Sequence, residues 1–313
     1  MRLRGEPLKL LPVPRRMRFG AAGVTFLFPP LCPCQNGFLA ITSTQSRRPS
    51  QRAYLLITGF ALLLVLLPFV FWYQTWFGRK ITDEETTAYL NNAAARPRKA
   101  QHALVQIGER MSRGDVRVRQ WYPNIVRLAS NPSLELRQTA AWIMGQDHSY
   151  EPFHDALQRL LVDPSPMVRR NAALSLTSFG DATGRSELLA MLRPYSVTSS
   201  VAGQVKYRLR VGEYVNPGTL VGHVGTAEIR SPLPGEVLAL NSPDGATIAA
   251  GEALVELSPD KEHVWEALRA LLRVGQKEDL EDVQRYARGV AGMPDRVRQQ
   301  AALTLQEIEG RNR

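Results

Sequence analysis

Cysteine is nearly absent from this chain of 313 residues: Cys32 and Cys34, as Cys-Pro-Cys, are its two. They exclude a disulfide framework, and a closed zinc site takes four ligands. Leu31 stands before Cys32, so no small residue marks a lipid-attachment site. Acidic residues are scarce at the start, where Glu6 is the one carboxylate before residue 53. Against it stand Arg2, Arg4, Lys9, Arg15, Arg16, Arg18, Arg47, Arg48 and Arg52. Most of the formal net charge of +10 therefore lies in that segment, and the remainder of the chain is close to balanced. No basic patch with interleaved aromatics occurs, so no nucleic-acid partner is expected. The chain also lacks a P-loop, a nucleophile elbow and a dinucleotide fingerprint. Neither catalytic residues nor a cofactor are expected, and the protein reads as no enzyme.

One long run lacks charge altogether. Tyr54 to Phe77 reads YLLITGFALLLVLLPFVFWYQTWF, a length that matches a bilayer core of roughly 30 Å. Trp72, Tyr73 and Trp76 cluster at one end, as interfacial aromatics do. A cleavable signal peptide would be shorter and followed by small residues; here Arg79 and Lys80 follow. A transmembrane helix over 53–78 is expected. The basic flank precedes it, which places the amino terminus in the cytoplasm of a bacterial-type inner membrane and the carboxyl-terminal domains in the periplasm. Residues 1–52 read as a basic, disordered tail.

Beyond the anchor the apolar residues fall at helical spacing. NIVRLASNPSLELRQTAAWIMG from Asn124 matches DALQRLLVDPSPMVRRNAALSLTSFG from Asp155. Pro132 aligns with Pro164, a period of about 32 residues, and Arg137 with Arg169. Ala140-Ala141 align with Ala172-Ala173. Asn131-Pro132 and Asp163-Pro164 each close one helix with a tight turn. The paired alanines then let a neighbouring helix pack closely. MPDRVRQQAALTLQEI near the carboxyl end is a third copy, with Arg298 in the arginine position. A weaker copy holds Ala100, Ala103, Leu104 and Ile107. The pattern resembles HEAT-like repeats of the phycobilisome-lyase class over about 100–194 and 262–309. That resemblance implies stacked helix pairs presenting a face to protein partners.

Between Tyr195 and Asp260 the helical period gives way to short strands and glycine turns. Two halves match: Gly203-x-Val205 with Gly235-x-Val237, Gly212 with Gly245, and Gly218 with Gly251. The run Ile229-Arg230-Ser231-Pro232-x-x-Gly235-x-Val237 resembles the signature of biotinyl/lipoyl barrel-sandwich hybrid domains. Carriers of that family need a lysine at the hairpin between the halves. His223 to Glu228 holds none, so no prosthetic group is implied. The lysine-free form resembles the domain of membrane fusion proteins, although the long helical hairpin of those proteins is missing. The insert falls at Arg193-Pro194, in the turn inside one repeat, a place where solenoid insertions map to binding loops.

The fold class is therefore expected to be α+β multidomain. A transmembrane helix leads into HEAT-like repeats over 82–194, a lipoyl-like β-domain over 195–260, and further repeats over 261–313. His148 and His154, with Asp147, Glu151 and Asp155 beside them, are the one histidine pair close in sequence. Their spacing matches no regular ligand motif, so they read as a polar turn and no metal is expected. Arg137, Arg169 and Arg298 are the candidate partner-binding residues. The same position also suits a repeat-wise salt bridge or a cap on neighbouring carbonyls. The expected function is a membrane-anchored, non-enzymatic scaffold or adaptor, holding an integral membrane complex or transporter as its partner. An accessory subunit of a respiratory or other membrane complex is the alternative. A carrier-type enzyme component is a further one, disfavoured by the absent lysine.

Overall fold

The computed structural model describes residues 51–72 and 80–311, with side chains of 55–70 and 80–311. The Cys-Pro-Cys pair, nearly all of the basic tail, and Tyr73, Trp76 and Arg79 lie outside the described residues. The chain divides into two units, Met1–Phe69 and Val70–Arg313.

The apolar run forms helix α1, Gln51–Trp72, with Pro68 inside it. Its described side chains are exposed from 55 to 70. Among the described residues, no helix is long and apolar enough to cross a membrane. This corrects the transmembrane helix in the expected fold class, and the inner-membrane, single-pass localisation that rested on it is not supported.

The larger unit is a series of helix pairs. The first is α2 (Asp83–Asn91) with α3 (Pro97–Ser112). Then come α4 (Tyr122–Leu128) with α5 (Leu134–Met144), and α6 (Glu151–Leu160) with α7 (Pro166–Leu176). The fourth pair, α8 (Arg185–Ala190) and α9 (Lys261–Val274), is split by eight strands. The last is α10 (Leu280–Arg288) with α11 (Asp295–Arg311). Second helices stack on second helices: α3 on α5, α5 on α7, and α9 on α11. Small residues make this stacking close. Ala140, Ala141, Ala172 and Ala173 are fully buried. A Cβ on Gly145 would stand 2.5 Å from Ser175 Oγ and 2.9 Å from its Cα. The Ser175 hydroxyl uses that proximity to donate to the Ala141 carbonyl at 2.8 Å. Thr304 on α11 donates in the same way to the Leu268 carbonyl of α9, also at 2.8 Å.

Strands β1 (Tyr195–Thr198), β2 (Gly203–Tyr207), β3 (Tyr214–Val215) and β4 (Leu220–Val224) form the first half of the β unit. The second half is β5 (Ala227–Arg230), β6 (Gly235–Leu240), β7 (Thr247–Ile248) and β8 (Ala253–Leu257). They make two four-stranded sheets, ordered β1-β8-β6-β3 and β5-β4-β2-β7, in which the assigned pairings are antiparallel. The halves interlock. Strand β3 leaves its own half to pair with β6, and β7 crosses back to β2. Val205, Val215, Val224, Val237, Ile248 and Val255 fill one core between the sheets. Gly218 and Gly251 sit at equivalent turns with φ of 86° and 87°, a region that strains any residue with a Cβ.

Candidate partner-binding surface

The arginine at the head of α5 and of α7 has a fixed local task. Arg137 Nη1 donates to the carbonyls of Asn131 and Pro132, both at 3.0 Å, which close the turn before α5. Its Nε and Nη2 grip Asp163 of the next pair at 2.7 and 3.1 Å. Asp163 is available there because it caps its own turn, accepting from Ser165 N at 2.9 Å. Arg169 repeats the pattern, with the carbonyls of Asp163 and Pro164 and with Glu187 Oε1 at 2.5 Å. Hydrogen bonding to Asp163 raises the Arg137 pKa above its ordinary value. Arg298 differs. It reaches Asp295 on its own helix at 3.2 Å and stays 58% exposed. Two of the three candidate arginines are thus held inside the stack, and the third faces outward.

Another surface on the stack went unread in the sequence. The Trp142 ring lies on Gly108 of α3, where an added Cβ would stand 2.9 Å from Trp142 Cζ3. Trp142 nonetheless remains 50% exposed, and Val105, one turn from Gly108, is 38% exposed. Val105 borders a cleft of about 1220 Å³ between the start of α2 and α3. Six cationic side chains line this cleft: Lys80, Arg98, Lys99, Arg110, Arg113 and Arg117. Three carboxylates answer them, Asp83, Glu109 and Asp115. Arg110 is bound to Asp83 at 2.7 Å and to Asp115 at 2.9 Å. Arg117 shares Asp115, and Arg113 reaches Glu109. Lys80 and Arg98 are exposed at the rim. The cleft carries an excess of three positive charges beside an exposed aromatic. The signal in the sequence was a tryptophan at a position where an apolar helix face should already have turned to solvent.

Both histidines of the pair pack against Phe179, His154 with its ring centroid at 5.2 Å. His148 meets the edge of Phe179, centroids 6.5 Å apart. His154 Nε2 lies 2.8 Å from Asp181 Oδ2. Glu151, His154 and Asp155 bring ligand atoms within 4.8 Å of one another, the one such group among the described residues. Glu151 is 80% exposed there, and His154 already has a ring nitrogen held by Asp181. Asp147 is absorbed by Tyr122, whose hydroxyl donates to it at 2.7 Å. Burial, then Asp147 itself, push the Tyr122 phenol up to about 12.

A second polar cluster joins the β unit to the stack. Arg170 is 5% exposed, and its Nη1 donates to His263 Nδ1 at 3.0 Å. Asp260 caps α9 by accepting from Glu262 N and His263 N. It also accepts the Tyr214 hydroxyl from β3 at 2.7 Å. Burial draws the Arg170 pKa down to about 10.

Residues 122–205 match the family described as HEAT repeats. No curated protein matches the chain. A solved structure similar to it is the complex of CpcE and CpcF of phycocyanin lyase from Nostoc sp. PCC7120. Identity is 16%, the TM-score 0.41, and the match covers 75% of this chain and 68% of that one. Four expectations are corrected. The membrane-anchored adaptor is withdrawn, because among the described residues no helix is long and apolar enough to cross a membrane. The expectation that the protein is no enzyme is withdrawn as well. The integral membrane complex as partner rested on the anchor and is not supported, and the likeness of the lysine-free β-domain to membrane fusion proteins is not supported either. The helical pairs are HEAT repeats over residues 122–205, and repeats of this kind present surfaces to protein partners.

Proposed function

We propose that this protein is a HEAT-repeat binding protein whose first pairs, around Trp142 and the basic cleft, hold an acidic segment of a protein partner. The observation that carries this reading is Trp142, half exposed although its ring is already seated on Gly108. A rigid, partly buried aromatic is the usual anchor of a protein interface. The uncompensated cations beside it favour a partner with carboxylates and speed its approach. Arg137 and Arg169 serve this surface indirectly, by fixing how one pair sits on the next. Arg298 stands open for direct contact.

The interlocked halves of the β unit resemble a biotinyl/lipoyl-type barrel-sandwich hybrid. Its β4–β5 turn is Gly225-Thr226, without an attachment lysine. In this reading the unit is a second recognition element rather than a carrier, set within the fourth pair.

The test compares proteins that co-purify with the full chain and with Trp142→Ala or Arg98→Glu. Partners that bind here should fall about tenfold or more with Trp142→Ala, as an anchor residue does, and elute early with added salt. Equal recovery with all three chains would sink this surface as the binding site.

A further inference from the structure

The start of α6 gathers side chains that neither the arginine ladder nor the basic cleft uses. Glu151, His154 and Asp155 stand at i, i+3 and i+4, a spacing that sets side chains on one side of a helix. One ligand atom from each lies within 4.8 Å of the others. Exposed carboxylates alone would carry little, and the imidazole sets this group apart. His154 Nε2 lies 2.8 Å from Asp181 Oδ2. An ionised carboxylate only accepts, so Nε2 carries the proton. The neutral ring then keeps a lone pair on Nδ1, which lies 3.5 Å from Glu151 Oε1. Two acceptors that face each other repel unless a proton or a metal ion lies between them.

The ring is held from outside its own helix. Asp181 is 27 positions away, in the turn after the short Thr177–Phe179 helix. Its Oδ1 accepts from Thr183 N at 2.7 Å, and its Oδ2 also accepts from Gln158 Nε2 at 3.1 Å. Phe179 packs on the ring with centroids 5.2 Å apart. A carboxylate that fixes one imidazole nitrogen and frees the other is the usual support of a metal-binding histidine. Ligands at about 2.0–2.2 Å from a tetrahedral ion stand about 3.4 Å apart, and the separation of Nδ1 and Oε1 already fits this. Asp155 is exposed, and among the described residues its carboxylate is held by no other side chain. The start of a helix carries roughly half a positive charge, which opposes a cation. Glu151, Asp155 and Asp181 outweigh it with three negative charges.

We propose that Glu151, His154 and Asp155 bind one divalent transition-metal ion of the zinc class, through an oxygen of each acid and Nδ1 of His154. Asp181 is a positioning residue that presents the ring. One nitrogen with two oxygens suits zinc and its neighbours, whereas magnesium and calcium take oxygen ligands. Three protein ligands leave a fourth position for water or for a group from a partner. His148 takes no part in the group, so the two histidines close in sequence do not mark it.

Isothermal titration of the full chain with Zn²⁺ tests this, at about pH 8, where imidazoles are ordinarily neutral. A saturable site is expected. Glu151 is 80% exposed, so Glu151→Gln should leave the fold intact, and it should weaken binding about tenfold or more. His154→Gln should remove the site, and His148→Gln should leave it unchanged. Asp181→Asn should cost about tenfold or more by loosening the ring. Excess Mg²⁺ should not displace the zinc. Circular dichroism establishes that each variant is folded. Absence of saturable binding would overturn the proposal. So would binding unchanged by both Glu151→Gln and His154→Gln, such as binding at Cys32 and Cys34. Displacement by Mg²⁺ would mean that carboxylates alone hold the ion, and would overturn it too.

Discussion

The helix pairs and the β unit are both built from sequence repeated within the chain, and they use the repetition in opposite ways. Each helix pair leaves one side unfinished and is completed by the next: Arg137 finds its carboxylate on Asp163, and Arg169 finds its own on Glu187. Such a structure can be extended or cut between pairs. The two β halves instead complete each other by exchanging their short third strands, so the unit closes. Open stacking makes surfaces for partners, whereas closure makes a compact insert that hangs on few contacts.

The sharpest way to break this comparison is at the arginine. Arg137→Ala would leave Asp163, whose side chain is 6% exposed, without its guanidinium. Removing one partner of so buried a pair should cost about 3 kcal/mol, while Arg298→Ala at the open end should cost about 0.5 kcal/mol or less. Urea unfolding of both variants measures the difference, and equal losses would mean that the ladder does not hold the stack. Next in size is Gly145→Ala, which drives a methyl into Ser175. Crowding of this kind costs about 2 kcal/mol, read as a lower unfolding midpoint of the helical signal.

Gly251→Ala probes the β unit. With φ at 87°, a Cβ there should cost about 1 kcal/mol. The loss should appear as faster amide exchange in β7 and β8 while α5 and α7 keep their protection. Loss of protection in the helices as well would show that the insert and the stack unfold as one.

The smallest effect is expected at the join. Burial, followed by the charge of Arg170, lowers the His263 pKa below its ordinary 6.5, while Asp260 and Glu262 oppose this. The neutral ring is the form that accepts from Arg170. Above pH 6.5 the ring is neutral in both states, and this contribution to stability is whole. As pH falls below that value the unfolded chain takes up the proton first, and stability declines until the native ring is protonated too. His263→Gln should flatten this part of the stability profile as pH falls below 6.5. A profile identical to that of the wild type would remove His263 from the join.

Much of this was legible from residue types. The Asn-Pro and Asp-Pro turns and the paired alanines mark helix pairs, because only small residues at that spacing allow two helices so close. The glycines recurring at 218 and 251 mark equivalent turns, because backbone with positive φ excludes side chains. The surface was less legible. Nothing in the order of residues distinguishes Arg137 from Arg298, since both stand in the same local pattern. Trp142 was not singled out in the sequence, and its exposure depends on how far α3 covers it. The anchor was expected on apolar composition, and among the described residues no helix is long and apolar enough to cross a membrane.

The sequence by itself determined that helices would form, where they would turn, and that a strand-rich insert would interrupt the fourth pair. These are local matters of backbone preference and side-chain size. The tertiary structure alone decided which arginines are consumed by neighbours, which aromatic faces outward, and that Arg170, His263, Asp260 and Tyr214 meet at the join. Those outcomes depend on groups up to ninety-three positions apart in the chain, as for Arg170 and His263. Only packing brings such groups within hydrogen-bonding distance.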